Sequence, residues 1–119
     1  MDKFRPETFL PLTPVAFEIL LALADGERHG YSILQEVEAR SGGAVALHAG
    51  TLYRALARLL ESGLIEELNE SPDPSSGDER RRYYRLTARG VAVARAEVGR
   101  LEGQLAAART RRLLKGARA

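Results

Sequence analysis

The chain has no cysteine and no tryptophan among its 119 residues, and only one methionine and two histidines. Without thiols there is no disulfide framework, no thiol nucleophile and no cysteine zinc site, so nothing points to an oxidising compartment. No apolar run approaches the roughly 18 residues of a membrane span. The opening MDKFRPETFLPLTP also lacks the basic-then-apolar order of a signal peptide. A cytoplasmic location with no membrane partner is expected. His29 and His48 fall in different elements with no carboxylate at ligand spacing, so a metal site is not expected, and His29 reads as a cap of the second helix or a neighbour of Tyr31. Glu66 and Glu67 are successive strand residues on opposite faces and cannot share a substrate. Gly26, Gly30, Gly42 and Gly43 match neither phosphate-binding glycine fingerprint. Neither a cofactor nor an enzyme is expected.

What the chain does carry is a segregated charge. Residues 1–79 hold 6 Lys or Arg against 14 Asp or Glu, whereas residues 80–119 hold 12 against 2. The net +2 conceals this split. A basic segment suits nucleic acid, an anionic surface or plain solvation, and the neighbouring elements have to decide. The 45% apolar and 29% charged content fits one small globular unit with a modest core, for which self-association is worth seeking.

Residues 1–12, with Pro6 and Pro11, read as an extended arm. Thr13-Pro14 then gives an N-cap followed by proline at the first helical position, and the apolar run to Asp25-Gly26 covers nearly the whole helix circumference, which places helix one centrally in the core. Helix two runs from about Gly30 to Arg40 and stops at Ser41-Gly42-Gly43. Helix three spans about Ala49 to Ser62 and ends at Gly63. At about 100° per residue, Leu52, Leu56, Leu59 and Leu60 form one inward stripe. Thr51, Arg54, Ala55, Arg58 and Ser62 form the opposite one. Two guanidiniums separated by small side chains let a helix approach a groove and offer forked donors to guanine edges and phosphate oxygens, although a solvated face would look the same.

Leu64 to Leu68 and RRRYYRL are strand-like, with Tyr84 and Leu86 on one side of the second strand and Arg81, Tyr83 and Arg85 on the other. The turn-rich SPDPSSGDE joins them. Three helices followed by a β-hairpin is the order of a winged helix-turn-helix, with Arg80, Arg81 and Arg82 at the wing. Such a fold requires Glu36, Glu38, Glu66, Glu67, Glu70 and Asp73 to stay off the phosphate-facing side. From Thr87 there is no proline through Ala119, which predicts one long helix. Val91, Ala94, Val98, Leu101, Leu105 and Ala108 recur at alternating spacings of 3 and 4, a heptad seam suited to a homodimer. Gly99 and Gly103 would admit a close partner helix, and the seam loses register at Arg112.

These motifs, LTPVAFEILLALADG, HGYSIL, GTLYRALARLLESGLIEE and RRRYYRLTARG, taken in order, resemble the PadR (phenolic-acid decarboxylase regulator) family of bacterial transcription factors over nearly the whole chain. The resemblance implies that Gly50, Thr51, Leu52 and Tyr53 open a recognition helix, that Arg54 and Arg58 face DNA, and that Arg80 to Arg82 belong to the wing. It further implies a homodimeric repressor on an inverted-repeat operator, in some members relieved by a small aromatic effector. The chain departs from the family pattern in three places. His48 stands where a Ser cap is common, and Arg54 and Glu79 stand where proline is common. With no tryptophan, the last helix offers no aromatic sandwich for a ligand.

The expected architecture is therefore mainly α with a small β-hairpin: an arm over 1–12, a winged helix-turn-helix DNA-binding domain over 13–86 and a dimerisation helix over 87–119. Its expected partners are double-stranded DNA, a second copy of the chain and a small hydrophobic or aromatic effector. A winged-helix protein–protein adaptor is the alternative.

Overall fold

The computed structural model of the chain describes residues 3–42, 47–68 and 82–114. Thr13 is extended, and its hydroxyl accepts the Ala16 N–H at 3.1 Å, so α1 (Pro14–Leu23) starts at Pro14. The capping hydroxyl and the preset φ of proline act together here. A two-residue strand, β1 (Arg28–His29), leads into α2 (Gly30–Arg40). His29 caps that helix: its Nδ1 accepts the Ser32 N–H at 3.1 Å, the structural role foreseen for this imidazole. Next comes α3 (Ala49–Glu61), which starts at His48 without a side-chain cap. At its end Gly63 adopts φ 76°, and the N–H groups of Gly63 and Leu64 turn back onto the carbonyls of Leu60 and Leu59. That closure needs a left-handed residue, which glycine supplies without a Cβ clash.

Two further strands, β2 (Ile65–Leu68) and β3 (Tyr83–Leu86), precede α4 (Ala88–Thr110). The expected two-stranded hairpin is in fact three-stranded, in the order β1-β3-β2. β3 pairs Glu67 with Tyr84 on one edge and Arg28 with Tyr84 on the other, both antiparallel. The side assignment holds: Tyr84 is buried and Leu86 packs on the core, whereas Arg85 is exposed. Burial pushes the Tyr84 phenol above its ordinary pKa, with the Glu67 carboxylate adding to the effect. In α3, Leu52, Leu56 and Leu59 are buried and Leu60 packs beside them, the inward stripe expected from periodicity.

The structure departs from expectation at three further points. The arm is extended at Arg5 and Leu10 but turns through a short 3-10 helix, Pro6–Phe9, where Thr8 N–H and Leu10 N–H find backbone acceptors within the arm. Phe4 and Phe9 meet with ring centroids 5.8 Å apart, and the Arg89 guanidinium of α4 lies 4.8 Å from the Phe4 centroid. These apolar and cation–π contacts hold the arm on the body of the domain. Second, α1 is not enclosed all round: Ile19, Leu20, Ala22 and Leu23 are buried, but Phe17 and Leu21 line a groove of about 370 Å³ beside Leu101 of α4. Third, α4 stops at Thr110 rather than running to Ala119. Arg112 takes the left-handed conformation at φ 59°, and the Leu113 N–H reaches the Ala108 carbonyl at 2.9 Å.

Candidate nucleic-acid interface

The outer face of α3 is the place where the sequence concentrated its polar signal, and the structure leaves it open. Thr51 is half-buried, while Arg54 and Arg58 are exposed one turn apart. Neither guanidinium forms an ion pair among the described residues. Other arginines are paired. Arg28 and Arg40 both reach Glu36, Arg40 also reaches Glu18, Arg85 reaches Glu66 and Arg100 reaches Glu97. Of the acids that would repel phosphate, Glu36 and Glu66 hold the partners just named, and Glu67 faces Arg82. Glu38 is exposed on α2, and Glu70 and Asp73 lie outside the described residues.

Tyr53 stands on the same helix, 54% exposed, with its ring laid across the start of α2. A Cβ on Gly30 would come within 2.9 Å of the Tyr53 hydroxyl oxygen, so a hydrogen at position 30 is what lets the phenol lie there. The ring of His29 meets Tyr83 edge-on at 5.4 Å, which locks the base of the wing against the same helix start. Of the wing arginines, Arg82 is exposed, with its Nε 3.6 Å from Glu67 Oε1. Arg80 and Arg81 lie outside the described residues.

A groove of about 420 Å³ runs beside the Arg54–Arg58 stripe. Its other side is the arm, from Phe9 to Thr13, and the start of α1. Sequence periodicity could not reveal this groove, because the arm reaches it through tertiary contact. One such contact is the hydrogen bond from the Leu12 N–H to Glu97 Oε2 at 3.1 Å. Glu97 is 2% exposed, and Arg100 Nη2 donates to the same oxygen at 3.0 Å. The Arg100 hydrogen bonds, reinforced by the Leu12 N–H, hold the Glu97 carboxyl below its ordinary pKa against the opposing effect of burial; the Arg100 pKa is raised in return.

Along α4 the internal face is Gly90, Val93 and Glu97. The heptad seam is rotated from it by roughly 80° round the helix. Ala94 packs on the core, Val91, Leu101 and Ala108 are half-buried, and Val98 and Leu105 are 41% and 40% exposed. The sequence reading missed Gly90, Val93 and Glu97, although their own spacing of 3 and 4 was a visible second stripe. Among the described residues no helix is long and apolar enough to cross a membrane, and no group of acids and histidines could hold a metal ion.

Residues 19–96 match the transcriptional regulator PadR-like family. An uncharacterized protein of Lysinibacillus sphaericus is 35% identical over 74 residues, covering 62% of this chain and 65% of that one. The chain spans less than two thirds of the length of the curated relatives it matches. Among solved structures, a transcriptional regulator from Clostridium thermocellum superposes with a TM-score of 0.68 at 26% identity, over 81% of this chain and 87% of that one. Bacillus subtilis PadR in complex with operator DNA superposes at 0.61 and 21% identity, over 74% and 48% of the two chains, a likeness of fold. The three-stranded wing and the long fourth helix accord with that match, and the chain belongs to the transcriptional regulator PadR-like family.

Proposed function

We propose that the chain acts as a homodimeric repressor in which each subunit lays α3 in a major groove of an inverted-repeat promoter operator. Thr51, Tyr53, Arg54 and Arg58 would meet bases and phosphates, and Arg80, Arg81 and Arg82 would reach flanking backbone from the wing. The observation that carries this reading is the α3 face itself: two exposed guanidiniums, one turn apart, with no acid partner among the described residues. Two exposed forked cations with no acid partner among the described residues form an anion-reading surface. Val91, Ala94, Val98, Leu101, Leu105 and Ala108 would pair two α4 helices, putting the recognition helices about one helical turn of DNA, ~34 Å, apart. A small hydrophobic or aromatic effector would then relieve repression. The crystallised operator complex of Bacillus subtilis PadR supports the reading through the shared fold.

The decisive experiment is a gel-shift titration on duplex DNA covering the chain's own promoter, for the parent and Arg58→Ala across a salt series. We expect Arg58→Ala to weaken binding by about 1–3 kcal/mol. Equal retention of parent and variant at every salt concentration would instead favour a protein–protein adaptor.

A further inference from the structure

We propose that Arg54 is the base-reading residue of α3 and selects a guanine in each half-site, while Arg58 beside it takes a phosphate. The proposal rests on the DNA-facing role given to α3 above and deepens it by naming the base that the helix prefers.

The two arginines stand at different places round the helix. At about 100° per residue, Arg54 lies about 170° from the mean direction of Leu52, Leu56 and Leu59, the leucines that α3 buries. It therefore occupies the crest of the outward face. Arg58 is displaced from it by about 40°, toward Thr51 and Ala55, which are half-buried on the flank next to the arm. Tyr53 is turned about 100° the other way, with its hydroxyl over Gly30 at the start of α2. A major groove about 12 Å wide just admits a helix about 10–12 Å across its side chains. In that fit the crest meets the base edges on the floor of the groove, and the flanks meet the phosphate walls.

The neighbours of Arg54 on the crest make it the deciding side chain. Gly50 and Ala57, about one turn to either side, are exposed, and a Cβ on Gly50 would meet nothing within 4 Å. The crest is thus short on both sides of Arg54, which lets the backbone come near the bases. The next long side chain along it is Glu61, exposed and without a cation partner among the described residues, so the carboxylate repels phosphate at the C-terminal end. The half of α3 that carries Arg54 is left as the one that goes deepest. A guanidinium holds five N–H donors and no acceptor. Guanine shows two acceptors, O6 and N7, to the major groove, whereas adenine and cytosine show an amino donor and thymine sets a methyl beside its single acceptor. Guanine alone accepts the whole fork, and any other base leaves a donor unsatisfied in a confined space. On an inverted repeat this preference places a guanine in one half-site and a cytosine at the mirrored position of the same strand.

The test selects duplexes on the full chain from a pool with a randomised segment of about 30 base pairs, room for two half-sites a helical turn apart. The parent is expected to enrich a guanine at one mirrored position, and an A·T pair placed there should weaken binding by about tenfold or more. Arg54→Gln, at an exposed position, is expected to lose that guanine preference, whether or not adenine, the partner of a glutamine amide, replaces it. A second measurement needs no variant: 7-deazaguanine at the selected position keeps its base pair but lacks the N7 acceptor, and should weaken the parent by about tenfold. Arg58→Ala is expected to stay sensitive to that base, to weaken binding alike on every sequence and to lower the salt slope by about 1. Retained guanine preference in Arg54→Gln, a parent indifferent to 7-deazaguanine, or an Arg58→Ala that loses the preference would each overturn the proposal while leaving the DNA reading intact. A pool from which the parent enriches no duplex overturns the DNA reading and this assignment with it.

Discussion

Glu97 of α4 accepts the backbone N–H of Leu12 at 3.1 Å, a contact across 85 positions of sequence that joins the fourth helix to the N-terminal arm. The carboxylate is buried without being stranded, because Arg100 supplies a second donor. This acid joins the Phe4 and Phe9 contacts in fixing where the arm lies.

That arrangement makes a pH prediction. The folded pKa of Glu97 lies below its ordinary value, so the unfolded chain binds the proton more readily and stability rises with pH through this range. The contribution is complete above the ordinary glutamate pKa of about 4.3 and is lost as pH falls through the lower folded value. Glu97→Gln should cost about 1–3 kcal/mol at neutral pH. The gap to the parent should close on acidification, as thermal melts between neutral pH and pH 3 would record. A constant gap would mean that Glu97 acts through packing alone.

Gly90 offers a steric test. A Cβ there would sit 2.0 Å from the Leu64 carbonyl oxygen, a backbone atom that cannot swing aside. Gly90→Ala should destabilise by about 3 kcal/mol or more, although alanine in a free helix gains about 1 kcal/mol over glycine. Gly99, with nothing within 4 Å in the protomer, should follow the free-helix sign. Denaturant melts of the two variants separate these effects, and destabilisation at Gly99 would report a second helix packed over it.

For the proposed dimer seam, Val98 is the informative position because it is 41% exposed and adds little to the core of its own chain. Val98→Glu should leave helicity intact by circular dichroism and weaken self-association by about a hundredfold, since an apolar seam cannot solvate a carboxylate. Sedimentation velocity over a dilution series is the measurement. A variant that stays paired at the parent's concentrations places the interface elsewhere.

The ion pair between Arg82 and Glu67 gives a prediction of opposite sign. With the Arg82 guanidinium 3.6 Å from that carboxylate, its charge is partly spent at home. Glu67→Gln should tighten DNA binding about two- to fivefold at low salt, an exposed pair contributing about 1 kcal/mol or less. The gain should fade as salt rises. No change at low salt would remove Arg82 from the DNA contacts.

Much of this fold was legible because local chemistry punctuates it. Thr13-Pro14 starts α1, Gly63 closes α3, and the leucines of α3 repeat at helical spacing, so each signal sits within a few residues of its effect. Elements fixed from a distance were not legible. Arg28 and His29 are too short a strand to show periodicity and exist as one because β3 lies beside them. Glu97 was passed over because a glutamate interrupts an apolar stripe, and only its remote partner Leu12 makes its burial tolerable. The early end of α4 was hidden for a related reason: arginine, rather than glycine or asparagine, takes the left-handed stop at position 112. Of the candidate interface, the α3 stripe could be read directly, but the arm that faces it could not.

The Thr87 hydroxyl donates to the Gly63 carbonyl at 2.6 Å and accepts the Gly90 N–H at 3.1 Å, while the Thr87 N–H donates to the Leu64 carbonyl at 3.1 Å. The fourth helix is thereby clamped, at its root, to the turn that terminates the third. Over its 23 residues the helix rises some 34 Å. Pinned at the root by Thr87 and again at Glu97 by the bond to Leu12, its bearing relative to the third helix is set by two anchors rather than one.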